Sequence, residues 1–310
     1  MRTLLVTTAA VAAVFSSAAF TQEPTLAPAS IPDFSGIWGR NWVFFEPPSS
    51  GPGPVVGKLP RSPISVGDYG NPILGPPAAE VVRKNGELEL SGTVVPNPHN
   101  ECRLEPTPFS LGLQMGIQVI QQKDKAVLLS LHDHQVRHVR MNVPHSDPPT
   151  PSWHGESVGY YDGDTLVIDT VGQKVGPLSM IDAFGTPFSE TLHVIERYRL
   201  IDGMLARDLQ QKHESTYFGG PSPFTNEYWR GDIDPDTTKK GLQVEFTVDD
   251  PATFTQPWSG RVTYRRVLGE WPESVCAENT HGSGTSEVVV STSTCIFASC
   301  LVPRADRPDF

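Results

Sequence analysis

Cysteine is scarce in this chain, with four among 310 residues, and no two are spaced C-x-x-C. That argues against a zinc ribbon or a thioredoxin-like redox site. No apolar run reaches the roughly 20 residues that a membrane-spanning helix requires. Positive charge is also short: 24 Lys and Arg face 35 Asp and Glu, for a formal net charge of -11. Such a balance disfavours nucleic acid or an anionic membrane surface as partner. No nucleotide-binding glycine loop or redox-cofactor motif is visible, so no cofactor is expected. The expected partner is a small-molecule ligand, without membrane insertion, and the sequence names no protein partner.

What the chain does have begins with a basic start and a short apolar run. Arg2, Leu4, Leu5 and an Ala/Val-rich stretch lead to small residues before Thr21, the pattern of a secretory signal over residues 1–21. The protein is therefore expected to be exported, periplasmic or secreted, where disulfides form. Cys102, Cys276, Cys295 and Cys300 allow three pairings. Cys102 with Cys276 would tie the early part of the main domain to its end, and Cys295 with Cys300 would close a small tail loop.

Thirty prolines and 27 glycines disfavour long helices and favour short strands joined by turns. Residues 22–31 read as an exposed leader, 32–279 as the main domain, and 280–310 as a Ser/Thr-rich, disordered tail. "FSGIWGRNWVFFEPP" has the alternation of a first strand, and a long Pro/Gly-rich loop follows it. "PPAAEVVRKNGEL" is the one expected helix, stopped at Gly86. From "GIQVIQQ" onward, eight to ten strand-like segments follow. One strong hairpin turn is at Asp162-Gly163-Asp164, and a second turn is expected at Asp202-Gly203. The expected fold is all-β: an antiparallel, lipocalin-like barrel or a sandwich, with one short helix.

Gly155-Glu156-Ser157-Val158-Gly159 spells the G-x-S-x-G of a nucleophile elbow. An elbow needs a helix directly after the serine, and here a hairpin follows. Ser157 is therefore expected in a closely packed strand.

Histidines are the denser signal. "LLSLHDHQVRHVRMN", read as one strand, puts His132, His134, His138 and Arg140 on a shared face. His132 and His134 are the candidate metal ligands if any metal binds. The alternative is a solvated polar face with Leu129, Leu131, Val139 and Met141 in the core. "LHVIERYRL" places His193 and Arg197 on one face and Glu196 on the other, and only one face can line an interior. An inward Glu196 must be paired, and beside a cavity it is a candidate acid or base. Asp169 interrupts an apolar strand, while Trp153, His154 and His145 flank a proline-rich connection that could roof a barrel mouth.

Residues 32–38 ("PDFSGIW"), 153–170 ("WHGESVGYYDGDTLVIDT") and the run from His193 ("HVIERYRLIDG") resemble an uncharacterised family of exported bacterial proteins. The resemblance runs from about Pro32 to Asn279. It implies a lipocalin-like barrel and points to His145, Ser157, Asp164, Asp169, His193, Glu196 and Arg197 as its shared polar positions.

These readings converge on a cofactor-free enzyme performing proton transfer (isomerase, dehydratase or hydratase type) on a small, largely apolar molecule. His193, Glu196, Asp169 and His145 are the candidate catalytic residues, and Arg197, Trp153, His154 and Trp38 the candidate substrate contacts. The alternatives are a non-catalytic carrier of the same fold and a metal-dependent hydrolase or oxygenase using His132 and His134.

Overall fold

A computed structural model describes residues 31–40, 44–58, 65–113, 116–122, 124–218, 232–269 and 276. The expected signal (1–21), all of the leader except Ile31, and the tail (280–310) lie outside the described residues, as do Cys295 and Cys300.

Among the described residues ten strands form: β1 (Gly36–Gly39), β2 (Ile117–Gln121), β3 (Lys125–Ser130), β4 (Val136–Met141), β5 (Glu156–Asp162), β6 (Thr165–Val171), β7 (His193–Ile201), β8 (Asp232–Ile233), β9 (Gly241–Asp249) and β10 (Trp258–Leu268). Nine of them close into a barrel in the order β1-β2-β3-β4-β5-β6-β7-β9-β10, with β10 returning to β1. The short β8 adds to β10. Closure leaves no barrel edge open to further pairing.

The alternation that specifies each strand also specifies its inward face. Leu242, Val244, Phe246 and Val248 of β9 are all fully buried, as are Val194, Glu196 and Tyr198 of β7 and Leu166 and Ile168 of β6. The interior is filled with aromatic rings. Phe45 and Phe254 pack on Phe246 or Trp258 at centroid distances of 4.7–6.5 Å, and Phe246 meets Trp258 edge-on at 5.9 Å. Each such ring stabilises the fold by roughly 1.5–3 kcal/mol through burial.

Three local readings are corrected. The β4–β5 pair is parallel, because residues 142–155 carry the chain from the end of β4 back towards the barrel end where β4 began. The segment read as a strand through "HDH" is interrupted: His132–His134 form a 3-10 turn with Asp133 at φ 54°. After this turn Arg137, Val139 and Met141 are buried, while Val136, His138 and Arg140 are exposed. And Asp202-Gly203 does not turn the chain into a strand but starts a second helix.

That helix, α2 (Gly203–Phe218), is capped by Asp202, whose Oδ1 accepts the N–H groups of Met204 (3.0 Å) and Leu205 (3.1 Å). It packs on β9 and β10, where Gln210 donates to the Thr263 carbonyl (3.0 Å). The expected helix, α1 (Pro76–Leu90), passes through Gly86 rather than stopping there. Gly86 fits closely against Val66, and Val82 enters the core.

One barrel end, where β3 and β6 finish and β4, β5 and β7 begin, is plugged by residues 97–113. There the Leu111 carbonyl accepts from Arg40 (2.6 Å) and from the Tyr264 hydroxyl (3.3 Å). A disulfide joins Cys102 in this plug to Cys276.

Candidate functional site

Inside the plugged end lies a buried ion pair. Arg137 of β4 reaches across to Glu196 of β7 with both terminal nitrogens, NH1 at 3.2 Å from Oε1 and NH2 on Oε2. The same NH1 donates to Thr107 Oγ1 at 2.8 Å, and the Tyr198 hydroxyl donates to Glu196 Oε1 at 2.8 Å. Burial works against the guanidinium charge, but the attraction of Glu196 outweighs it and the Arg137 pKa is raised. Burial, reinforced by the charge of Glu196, lifts the Tyr198 phenol well above its ordinary value. Glu196 thus points inward and is fully partnered.

Arg137, Gln135, Tyr198 and His154 help to line a cavity of about 30 Å³. That is room for a water molecule or two, not for an organic substrate. His154 Nε2 is buried there without a partner among the described residues, and burial followed by the nearby Arg137 lowers the imidazole's pKa. A larger cleft of about 340 Å³ lies between α2 and the segment around Phe45 and Val56. Its Glu46 is held by Thr263 and its Arg261 by the Pro47 carbonyl.

Two His–carboxylate–His clusters sit at the plugged end. The first is buried. His99 Nδ1 and His132 Nδ1 each lie 2.9 Å from Glu105 Oε1, and the two rings are 3.9 Å apart. All three residues are at most 3 % exposed. Among the described residues, His99 Nε2, both ring nitrogens of His132 and Glu105 Oε2 have no hydrogen-bond partner, so His132 Nδ1 is near Glu105 but misaligned for a bond. An unsatisfied buried polar group costs about 1–3 kcal/mol. Burial, together with His132, lowers the pKa of His99. For Glu105, burial pushes upward but the two imidazoles prevail, and its pKa is lowered.

The second cluster is on the outer face. Asp169 of β6 and His193 of β7 point away from the core, and Asp169 Oδ1 accepts from His193 Nε2 at 2.8 Å and from His145 Nε2 at 3.1 Å. His145 Nδ1 is 3.3 Å from Glu156 Oε1. Glu156 also receives the Ser146 N–H (2.7 Å), the Ser146 hydroxyl and Arg140 (2.6 Å). Its pKa falls to about 2, chiefly through the Ser146 hydroxyl. The bond to Asp169 outweighs partial burial and raises the His193 pKa. For Asp169, burial is opposed and overcome by the two imidazoles, so its pKa is lowered. His193 is 38 % exposed.

The structure thus brings His193, Asp169 and His145 together outside the barrel, and places Glu196 inside it on Arg137, which lines the small cavity with His154. Arg197 shares the outer face of β7 with His193, half-buried. Trp153 is 47 % exposed, with the Lys174 ammonium 5.9 Å from its ring centre. Trp38 is fully buried: its indole N–H bonds the Phe34 carbonyl at 2.8 Å, and Arg266 lies over its ring at 3.6 Å. Asp164 accepts from the neighbouring Thr165 hydroxyl at 3.1 Å in the β5–β6 turn. His132 and the backbone of His134 lie in the 3-10 turn.

Ser157 faces the interior, 3 % exposed, its hydroxyl bonded to Thr170 Oγ1 at 2.9 Å. The flanking glycines have packing reasons. Gly155 has φ 70°, and a Cβ on Gly159 would come within 2.9 Å of Val139 and 3.0 Å of the Val167 carbonyl.

His99, Glu105 and Arg137 went unread in the sequence. Only Arg137 carried a signal: it shares the parity of Val139 and Met141, which the alternative reading of that strand puts in the core.

No protein family, curated protein or solved structure matches the chain.

Proposed function

We propose that this is an exported enzyme that transfers protons on a small, largely apolar molecule, and that it works at the outer-face cluster rather than inside the barrel. The observation that carries this reading is the single Asp169 oxygen bonded to both His193 and His145. By accepting the Nε2–H of His193, Asp169 fixes the tautomer in which Nδ1 carries the lone pair. Nδ1 makes no hydrogen bond to any described residue. An imidazole so oriented takes a proton from a carbon acid, and Asp169 stabilises the resulting imidazolium. His145, bonded to Asp169 through Nε2 and 3.3 Å from Glu156 through Nδ1, would hold Asp169 in place, and the proton taken by His193 Nδ1 would return from that same nitrogen to the product. Arg197 stands four residues from His193, about 13 Å along the same face, and would hold a polar group of the molecule remote from the carbon that His193 deprotonates. Trp153 would supply apolar contact. The Cys102–Cys276 disulfide supports export.

A carrier with its ligand inside the barrel would need the volume that Trp38, Phe246, Trp258, Tyr198 and Tyr264 occupy. The proton-transfer reading needs only an accessible rim.

The test is solvent deuterium incorporation, followed by NMR, into a panel of small ketones, lactones and enones. Wild-type protein should exchange the α-protons of at least one compound. His193→Gln should slow that exchange by about 10²–10⁴-fold, and Asp169→Asn should also slow it. Exchange unaffected by either substitution would sink the assignment.

A further inference from the structure

We propose that His99, Glu105 and His132 bind one divalent first-row transition-metal ion, zinc being the best fit, in a buried site separate from the outer-face cluster. Two imidazoles and a carboxylate each offer a ligand atom, and these atoms lie within 4.8 Å of one another. Bonds of about 2.0–2.1 Å at tetrahedral angles need ligand atoms about 3.4 Å apart, a spacing within reach of small side-chain rotations.

Two observations favour an ion over a plain hydrogen-bonded triad. The polar atoms of the cluster exceed its bonds: His99 Nε2, His132 Nδ1, His132 Nε2 and Glu105 Oε2 are all buried and unpartnered among the described residues. Moreover, His132 Nδ1 stands 2.9 Å from Glu105 Oε1 without bond alignment. Its in-plane lone pair is therefore not directed at the carboxylate and is available to a cation. One ion would engage a nitrogen of each ring and the carboxylate together.

The backbone around each ligand is held independently of any ion. The Asn97 side chain accepts the His99 N–H at 2.9 Å, and Gln135 Oε1 accepts the Glu105 N–H at 2.8 Å. Asp133, next to His132, accepts the Cys276 N–H at 3.2 Å, and the disulfide to Cys102 closes the frame. Ligands fixed this way are preorganised. They come from two segments of the chain, so neither segment alone carries a metal signature. Three protein ligands leave a fourth position for solvent.

The experiment is metal analysis of the full chain after incubation with zinc and gel filtration. Wild type should retain about one zinc per chain. Glu105→Gln and His132→Gln should each retain less than about a tenth of that, whereas His193→Gln and Asp169→Asn should retain it. If the Glu105 and His132 variants do not fold, X-ray absorption on zinc-loaded wild type decides. Support would be a shell of two imidazoles and a carboxylate oxygen at about 2.0–2.2 Å. Folded wild type that retains no zinc, zinc lost on changing His193 or Asp169 instead, or a shell with fewer than two imidazoles would overturn the proposal.

Discussion

The barrel carries the same triplet twice, two imidazoles around one carboxylate, and the copies differ mainly in water. Around Glu105 the groups are sealed between the plug and the 3-10 turn, beside the disulfide, with several polar atoms unpartnered among the described residues. Around Asp169 they are half open to solvent, and both imidazoles are aligned on the carboxylate. The same chemical groups thus become different devices. In the dry copy every missing contact is costly, which suits rigid ligation. In the wet copy protons can be exchanged with a molecule arriving from outside, at little risk to the fold.

The sharpest way to break this contrast is to truncate both carboxylates. Glu105→Ala leaves two buried imidazoles facing a void and should lower the unfolding free energy by about 3–5 kcal/mol. Asp169→Ala should lower it by no more than about 1 kcal/mol. Urea denaturation of the two variants side by side measures this, and equal losses would mean that burial is not what separates the clusters.

The disulfide comes next. Its partners are 174 residues apart in sequence, so Cys102→Ser with Cys276→Ser should cost about 2–4 kcal/mol. The change should be felt at only one cluster. Imidazole NMR signals of His99 and His132 should move, while those of His145 and His193 stay in place. Movement of all four would show that the plug and the outer face are coupled.

How far either cluster could be read from sequence follows from where its residues lie. The hairpin at Asp162-Gly163-Asp164 and the strands it joins are local, and alternation with a turn signal specifies them. His145, Asp169 and His193 stood out because polar residues interrupt or flank apolar strands, yet their outward direction was not legible: parity depends on which face closes the barrel. Asp202-Gly203 misled because the same dipeptide chemistry serves a turn and a helix cap, and only the run of helix-forming residues from Met204 onward distinguishes them. His99 and Glu105 lie in a Pro-containing segment without periodicity, and their partner His132 is reached only through the plug. His132 drew notice, but beside His134 rather than with its partners across the fold.

A smaller effect probes the wall between the clusters. Glu156 and Ser157 are consecutive in β5 and point to opposite sides, Glu156 to His145 and Ser157 to Thr170. Ser157→Ala strands the Thr170 hydroxyl and should cost about 1 kcal/mol, and adding Thr170→Val should recover most of it. Neither change should alter deuterium incorporation. A large loss of turnover in Ser157→Ala would place chemistry on the inner side of the wall.

The smallest expected effect on stability is the most informative about the wet cluster, because it has a sign at each end of the pH range. His193 has a raised pKa in the folded protein. Its contribution is fully present below the ordinary imidazole value of about 6.5 and fades as pH rises through the raised one. Asp169 has a lowered pKa, so its contribution is present above about 3.9 and is lost as pH falls through the lowered value. The pair therefore operates from the ordinary carboxylate range to somewhat above the ordinary histidine range, and an NMR titration should find the His193 midpoint above the ordinary imidazole value. Asp169→Asn removes the charge that holds the imidazole proton, and the His193 midpoint should fall back towards its ordinary value. If it does not move, the proton on His193 is held by something other than Asp169, and the outer cluster loses the coupling that makes it a proton-transfer device.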